Sequence, residues 1–361
     1  MMMTSVQSPE VINFADLTPE QFYKTVNELG HSKFRATQIL DWVYNKEVYE
    51  FRDMTNLGKD LRESLRKHFR IAIPKVVESH KSQDGSVKFL LELWDKNQIE
   101  MILMPYEKSA TLCISSQVGC ARKCKFCATG KLGLTRNLYT SEIVGQLLLA
   151  KKYIKDRKLT NVVFMGMGEP LDNYDNVVQA VRIITAEQGV NLSSRKITIS
   201  TCGVIPKINK LAQEDIKVKL AVSLNAVLDA KRNEIMPINK VFPLSDLKKA
   251  LLDFRHATAY RVTFEYVMIR NFNMGNDDVR ALLKFLGDQS CKLNLIAWNK
   301  VEGLDYESPS EQEIEEFKAK LSTLQCPIMQ RNSRGNDIAG ACGQLAGKTE
   351  TKEIKPILTK K

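Results

Sequence analysis

No run of apolar residues in this chain reaches the roughly 20 that a membrane-spanning helix needs, although 43% of its 361 residues are hydrophobic. The opening stretch, MMMTSVQSPEVINFADLTPE, lacks the basic start and apolar segment of a secretory leader. Both absences predict a soluble, cytoplasmic protein. Histidine is scarce, with residues only at 31, 68, 80 and 256. No internal repeat is evident. Acidic residues are missing from Ala121–Arg136, a segment that holds Arg122, Lys123, Lys125, Lys131 and Arg136. Arg66, Lys67, His68 and Arg70 make a second basic cluster, and the chain ends Lys360-Lys361. A solvated surface explains any one of these. Beside a cysteine motif in a chain of formal net charge +11, they favour a nucleic-acid partner.

What the sequence does have is cysteine in an uneven pattern: positions 113, 120, 124, 127, 202, 291, 326 and 342. A cytoplasmic chain does not use these as a disulfide framework. Four of the eight fall within fifteen residues, and bunching of that kind marks chemistry.

The surrounding pattern divides the chain into parts. Residues 1–72 read as a small helical N-terminal domain. Thr18-Pro19-Glu20-Gln21 supplies an N-cap, a first-turn proline and a capping-box glutamine. Phe22, Val26 and Leu29 mark one apolar face, and Gly30 ends that helix. Further helices would hold Ile39, Trp42 and Val43, then Leu61, Leu65 and Phe69. This is too little core to stand by itself, so the module should dock on a neighbour or grip substrate. Residues 73–108 read as a short antiparallel β extension, with Asp84-Gly85 as a hairpin turn. From residue 109 to 347 strands alternate with amphipathic helices. The predicted strands are Leu112–Ser115, Asn161–Met165, Ile197–Thr201, Val218–Leu224, Val262–Met268 and Leu293–Trp298. Six such units with right-handed crossovers predict an α/β fold, a partial (β/α)6 TIM-type barrel whose site lies at the carboxyl ends of the strands. Residues 348–361 read as a charged tail.

Cys120, Cys124 and Cys127 follow the first barrel strand with CxxxCxxC spacing. Three thiolates leave a [4Fe–4S] cluster one ligand short, since all-cysteine clusters use four. The open iron can then chelate a ligand. Structural zinc is the competing reading, but it wants four closed ligands, and no second CxxC or HxxxH pair is present. After the second strand comes Gly166-Met-Gly168-Glu169-Pro170, where glycines let backbone approach a ligand and a carboxylate suits an ammonium. Ser200, then Ser223-Leu224-Asn225, then Trp298-Asn299 end other strands. Singly each is a polar strand terminus. Together, on the cluster's face, they predict a ligand pocket. Cys342 lies among glycines and small residues, on an expected flexible and accessible loop, while Cys113 sits on the first strand. Cys202, Cys291 and Cys326 read as inert buried thiols.

The CxxxCxxC motif with an aromatic before its last cysteine resembles the radical S-adenosylmethionine superfamily. Thr111-Leu-Cys113-Ile-Ser-Ser-Gln-Val-Gly-Cys120, the Gly166–Pro170 segment, Met236-Pro-Ile-Asn239, Ala341-Cys342-Gly-Gln-Leu345 and Phe34-Arg-Ala-Thr-Gln-Ile-Leu-Asp-Trp42 narrow this. Over nearly the whole chain they resemble the RlmN family, dual-specificity methyltransferases acting on adenosine C2 of 23S rRNA and tRNA. The resemblance implies a [4Fe–4S] cluster on Cys120, Cys124 and Cys127. It implies S-adenosylmethionine held by Gly168, Glu169, Ser200, Ser223, Leu224, Asn225 and Asn299. It further implies that Cys342 carries the methyl group, that Glu100 accepts a proton, and that Cys113 releases product by forming a disulfide with Cys342. An electron donor such as flavodoxin or ferredoxin, and action as a monomer, are implied too. Asn225 stands where the family usually has His, and Ala339-Gly340 precede Ala341-Cys342 where Asp-Ala is commoner. A Cfr-like enzyme methylating adenosine C8, a radical activase acting on a protein, and a non-catalytic zinc module are the alternatives.

Overall fold

The computed structural model describes residues 11–154 and 157–347; the expected charged tail lies outside them. Three helices come first: α1 (Pro19–Glu28), α2 (Lys33–Tyr44) and α3 (Lys59–His68). The start of α1 follows from its capping chemistry. Thr18 Oγ accepts the Gln21 N–H at 3.2 Å, and Gln21 Oε1 accepts the Thr18 N–H at 2.8 Å. Gly30, at φ +79°, turns the chain out of the helix. Phe22, Val26, Ile39, Val43 and Leu65 are fully buried. Their core is continuous with that of the rest of the molecule. Helix α4 (Ala128–Leu132) is short, and the long α5 (Thr140–Lys151) takes the load of this docking. Asp16 accepts the Ser141 N–H at 2.7 Å, and Tyr49 donates to the Leu148 carbonyl at 3.2 Å.

A ten-stranded sheet forms the frame. Strands β1 (Lys75–Lys81), β2 (Val87–Glu92) and β3 (Gln98–Pro105) run antiparallel. Asp84-Gly85 turns the first hairpin, with Gly85 at φ +84°. Strand β4 (Ser109–Cys113) pairs antiparallel with β3. It also starts a parallel series: β5 (Lys158–Phe164), β6 (Ile197–Thr201), β7 (Lys219–Ser223), β8 (Thr263–Met268), β9 (Lys292–Ala297) and β10 (Ile328–Gln330). Order in space is order in sequence, so every crossover steps the same way and the sheet curls as a barrel does instead of reversing. Helices α6 (Tyr174–Thr185), α7 (Ile205–Leu211), α8 (Asp229–Ile235), α9 (Leu244–Thr258), α10 (Asn276–Leu286) and α11 (Glu311–Lys320) fill the crossovers. In α9 the apolar stripe Leu244, Leu247, Leu251 and Phe254 is buried. Leu220, Ala221 and Val222 are buried in succession, as a strand covered on both faces requires.

The strand bounds shift from expectation by up to three residues, β4 and β5 starting at Ser109 and Lys158, and two departures have a plain physical cause. β4 stops at Cys113 because Ser115 leaves the ladder: its N–H goes to Gln146 Oε1 at 2.9 Å and its hydroxyl to the Glu100 carbonyl at 2.6 Å. β10 is a seventh parallel strand. At three residues, with Met329 exposed, it is too short to leave a periodic signal. Among the described residues, no helix is long and apolar enough to cross a membrane.

Candidate active site at the carboxyl ends of the strands

Every parallel strand delivers residues to one cavity of about 1080 Å³ that opens to solvent. Cys120, Cys124 and Cys127 come from the loop after β4, Gly166, Gly168 and Glu169 from the end of β5, and Ser200 and Cys202 from β6. Ser223 and Asn225 come from β7, Glu265 and Val267 from β8, Trp298 and Asn299 from β9, and Arg331 follows β10. Cys342 and Leu345 complete the wall. A second cavity of about 680 Å³ adjoins it, sharing Met165, Ile296, Arg331, Cys342 and Leu345 and adding Cys113 and Tyr106.

The cysteine loop is closed by a small hairpin, Gln117–Gly119 against Leu134–Asn137. Cys120 N–H donates to the Gly133 carbonyl at 2.7 Å. Gly119, at φ +77°, passes so near that a Cβ there would lie 1.9 Å from the same oxygen. Burial pushes the Cys120 thiol up to about 12 and raises Cys124 and Cys127 as well, the other thiols adding to the effect at Cys120 and Cys124. Three thiols in that setting ionise only against bound cationic metal. Among the described residues no three such side chains converge on a single ion, whereas a cubane cluster spans several ångströms and takes each thiolate on a different iron. The donor set therefore fits an iron–sulfur cluster better than zinc.

The basic residues of this loop are partly spent on structure. Arg122 pairs with Asp172. Arg136 pairs with Asp95 and Glu142 at 2.7 Å, and Lys131 donates to the Gly303 carbonyl at 2.7 Å. Lys123 and Lys125 remain exposed.

Glycines 166 and 168 serve the neighbouring chain first. A Cβ on Gly166 would meet the Ile114 carbonyl at 2.6 Å, and one on Gly168 the Gln117 backbone at 2.9 Å. Their smallness lets β5 close on the β4 loop, a reason different from ligand approach. Glu169 is buried in the cavity wall, its oxygens accepting from Cys202 N–H at 2.8 Å and Leu171 N–H at 3.0 Å. Burial raises its carboxyl above the usual range against those donors. Cys202, read from sequence as an inert thiol, thus lines the cavity and holds Glu169 by its backbone.

Ser200, Ser223 and Asn299 line the cavity as expected, whereas Leu224 does not. Its side chain is in the core, its N–H donates to the Glu265 carbonyl at 2.9 Å, and its own carbonyl accepts from Arg232 Nε at 3.0 Å. Asn225 sits at φ +57°, a conformation asparagine tolerates. Its Oδ1 accepts the Val267 N–H at 3.0 Å and its Nδ2 reaches Met236 Sδ at 3.4 Å, so its side chain already braces β7 against β8. Arg232 gathers the same strand ends. Besides Leu224 it donates to Asn239 Oδ1 at 2.8 Å, the Cys202 carbonyl at 2.9 Å and the Ser223 carbonyl at 3.2 Å. The Met236–Asn239 motif earns its place by holding this guanidinium.

Cys113 and Cys342 both line the second cavity, and neither is in a disulfide. Burial, with Cys342 as the next cause, pushes the Cys113 thiol up to about 12. The Cys342 loop is pinned, where a flexible one was expected: Asn299 Nδ2 donates to the Cys342 carbonyl at 3.0 Å, and Ala128 N–H to that of Gly343 at 2.7 Å. Glu100 is buried, although an acid on a strand of the β extension would by itself be expected to face solvent. Its carboxylate pairs with Lys88 at 3.1 Å and accepts the Ala346 and Gly347 N–H groups at 2.8 and 3.1 Å. It lies behind the Leu345–Gly347 turn and lines neither cavity. Glu265 and Arg331 were not anticipated. The signal available in sequence was one acid within the apolar run Val262–Met268.

Residues 12–71 match the family model of the ribosomal RNA large subunit methyltransferase N-terminal domain, and residues 114–286 match that of the radical SAM superfamily. A relative from Dictyoglomus turgidum, named a probable dual-specificity RNA methyltransferase RlmN, is 46% identical over 319 residues, covering 88% of this chain and 91% of its own. The dual-specificity RNA methyltransferase RlmN of Pelobacter propionicus is 42% identical over 94% of this chain and 97% of its own. The chain belongs to the RlmN family. A crystal structure of a radical SAM methyltransferase from Sphaerobacter thermophilus agrees, with a TM-score of 0.90 at 38% identity over 93% of this chain and all of that one. As an RlmN-family member the protein is a radical S-adenosylmethionine methyltransferase with the partial TIM-type barrel of its superfamily, and its cofactors are a [4Fe–4S] cluster and S-adenosylmethionine. A protein activase and a non-catalytic zinc module are thereby set aside.

Proposed function

We propose that the protein methylates C2 of adenosine in 23S ribosomal RNA and transfer RNA, with the methyl group carried on Cys342. The observation that bears most weight is the placement of two unbonded thiols, Cys113 and Cys342, on one cavity wall beside the cysteine loop. Relatives named as dual-specificity RNA methyltransferases at 42–46% identity support the choice of RNA.

In this reading Cys120, Cys124 and Cys127 hold the cluster. Glu169 and the Gly168 backbone take the methionine ammonium of S-adenosylmethionine, with Ser200, Ser223, Asn225 and Asn299 around the rest of it. Leu224 contributes packing, both of its backbone groups being committed. When bound, the cluster and S-adenosylmethionine supply a carbon-centred radical able to remove hydrogen from a methyl group. Cys342 presents that methyl, and its carbon bonds to adenine C2, joining RNA to protein through sulfur. Glu100 accepts the C2 proton, and the unpaired electron left on the ring passes to a one-electron acceptor of the flavodoxin or ferredoxin class, so that the joined base is closed-shell before release. To reach the proton, the carboxylate releases the Ala346 and Gly347 amides, so the Leu345–Gly347 turn shifts when RNA enters. The Cys113 thiolate then attacks Cys342 Sγ. The bond from sulfur to the methyl-derived carbon breaks, its electron pair leaves with the product and is protonated, and a Cys113–Cys342 disulfide remains for a two-electron reductant. A flavodoxin or ferredoxin supplies the single electrons. The helical domain and Lys123 and Lys125 face the RNA. The enzyme works as a cytoplasmic monomer.

The test is incubation of the reconstituted enzyme with 23S ribosomal RNA and transfer RNA, followed by nuclease digestion and mass spectrometry. 2-Methyladenosine is the expected product, and 8-methyladenosine would move the assignment to the Cfr-like alternative. Cys113→Ala should accumulate a covalent protein–RNA adduct and Cys342→Ala should form none. Normal turnover by Cys113→Ala would exclude the release step.

A further inference from the structure

Glu265 and Arg331 have hydrogen-bonding capacity that the described residues leave unused. Glu265 is buried in the middle of β8, with its side chain in the wall of the main cavity. One carboxylate oxygen, Oε1, accepts from Asn294 Nδ2 at 2.9 Å. The other, Oε2, is buried and has no hydrogen-bond partner among the described residues. Leaving a buried acceptor unpaired is costly, so such an atom facing a cavity marks a place where a ligand donor belongs. Arg331 Nη1 lies 3.8 Å from Oε2, too far for a hydrogen bond. Among the described residues the guanidinium otherwise reaches only Met165 Sδ, a weak acceptor, at 3.3 Å. Its backbone N–H is anchored to the Leu295 carbonyl at 2.8 Å, which fixes where the side chain starts. Arg331 also lines both cavities, as does Cys342.

We propose that Glu265 and Arg331 together read the target adenine, Glu265 Oε2 accepting from the 6-amino group and Arg331 donating to the ring nitrogen beside the carbon that receives the methyl. The inference rests on the function proposed above and adds the residues that choose the base. An acceptor and a donor held side by side complement an edge that offers a donor and an acceptor, which is the Watson–Crick edge of adenine, N6–H and N1. C2 is bonded to N1. A base whose N1 is held by Arg331 therefore turns C2 toward the wall that carries Cys342. Donation to N1 also draws electron density from the ring as the carbon radical adds at C2. Uracil reverses the donor–acceptor order, and purine without the amino group leaves Oε2 unpaired. Arg331 touches the substrate in this scheme, and Asn294 is a positioning residue that commits Oε1 and so leaves Oε2 free.

The experiment uses the reconstituted enzyme and synthetic RNA hairpins, taken from whichever transfer RNA segment the preceding digestion maps as methylated, that carry either adenosine or purine riboside at the mapped position. Initial rates of base methylation are measured for wild type, Glu265→Gln and Arg331→Lys. Methylation of Cys342, followed by intact-protein mass, serves as the readout that does not involve the base. Wild type should prefer adenosine over purine riboside by roughly tenfold or more, the worth of a hydrogen bond to a charged group. Glu265→Gln should be slow on adenosine and show little preference between the two RNAs, and Arg331→Lys should slow both. All three proteins should methylate Cys342 alike. If Glu265→Gln keeps the wild-type preference, or if Cys342 methylation falls in step with base methylation, the base-reading assignment is wrong while the proposed function stands. If wild type methylates no adenosine at all, both fall together.

Discussion

Arg232 offers the sharpest quantitative test of how the strand ends are held. It is about 1% exposed, and its guanidinium donates four hydrogen bonds, to the carbonyls of Leu224, Cys202 and Ser223 and to Asn239 Oδ1, at 2.8 to 3.2 Å. Arg232→Met keeps the stem's apolar packing and removes every one of these donors. Breaking a buried charged network costs about 3–5 kcal/mol. Part is returned because a cation no longer has to be buried, a penalty visible in the lowered pKa that burial imposes on this arginine. A net loss of about 3 kcal/mol is expected. With an unfolding entropy of about 2.1 cal/mol/K per residue, that lowers Tm by about 4 °C for a chain of this length. Arg232→Lys, which keeps the charge and loses the fork, should fall between the two. Combining Arg232→Met with Asn239→Ala should cost less than the sum of the single changes, because they share a hydrogen bond. Differential scanning calorimetry on the wild type, the three single variants and the double variant reads the result. A Tm for Arg232→Met within about 1 °C of wild type would refute the view that this side chain ties β6, β7 and the Met236–Asn239 turn together.

Other perturbations follow from single contacts. Gly119→Ala should abolish cluster loading, since its Cβ would meet the Gly133 carbonyl at 1.9 Å; iron and sulfide content after reconstitution checks this, and full loading would contradict it. Asp84→Ala removes the acceptor of the Gly335 N–H at 2.9 Å and the partner of Arg334 at 3.5 Å. Hydrogen exchange over residues 335–345 should quicken by roughly tenfold, the worth of one such contact. Release of the RNA adduct should accelerate about tenfold per pH unit from 7 to 9, because burial holds the Cys113 thiol mostly protonated in that range, with a pKa raised to about 12. A plateau near pH 8.5 would mean an ordinary, exposed thiol.

The elements most legible in sequence were those specified by neighbours in sequence. Thr18 and Gln21 cap α1 reciprocally, Gly85 turns the first hairpin, and CxxxCxxC needs only eight residues to bring three thiols to one loop. The alternation of strands and amphipathic helices likewise announced the barrel and the end on which its cavity lies. What stayed hidden depends on partners distant in sequence. Arg232 on α8 reads as a surface cation, yet its acceptors lie at Cys202, Ser223 and Asn239. Glu100 reads as a solvated strand acid because its partners, Ala346 and Gly347, are 246 and 247 residues away. Arg331 follows a strand of three residues, too short to mark its own place. Asn225 stands where the family usually has His, and nothing in the sequence announces that its side chain reaches Val267 and Met236 while still lining the cavity.

The anchoring of the Arg331–Gly347 segment also bears on how the enzyme is made. This last stretch brings Cys342 to the cavity, is tied to the β1–β2 hairpin through Asp84 and Asp337, and hydrogen-bonds to the cysteine loop at Ala128. During synthesis the hairpin and the cluster loop leave the ribosome more than 200 residues before it does. A nascent chain can thus hold the hairpin and the cysteine loop while Cys342 does not yet exist. If Cys342 carries the methyl as proposed, chemistry waits for this segment to reach the cavity, and incomplete chains are unable to join themselves to RNA.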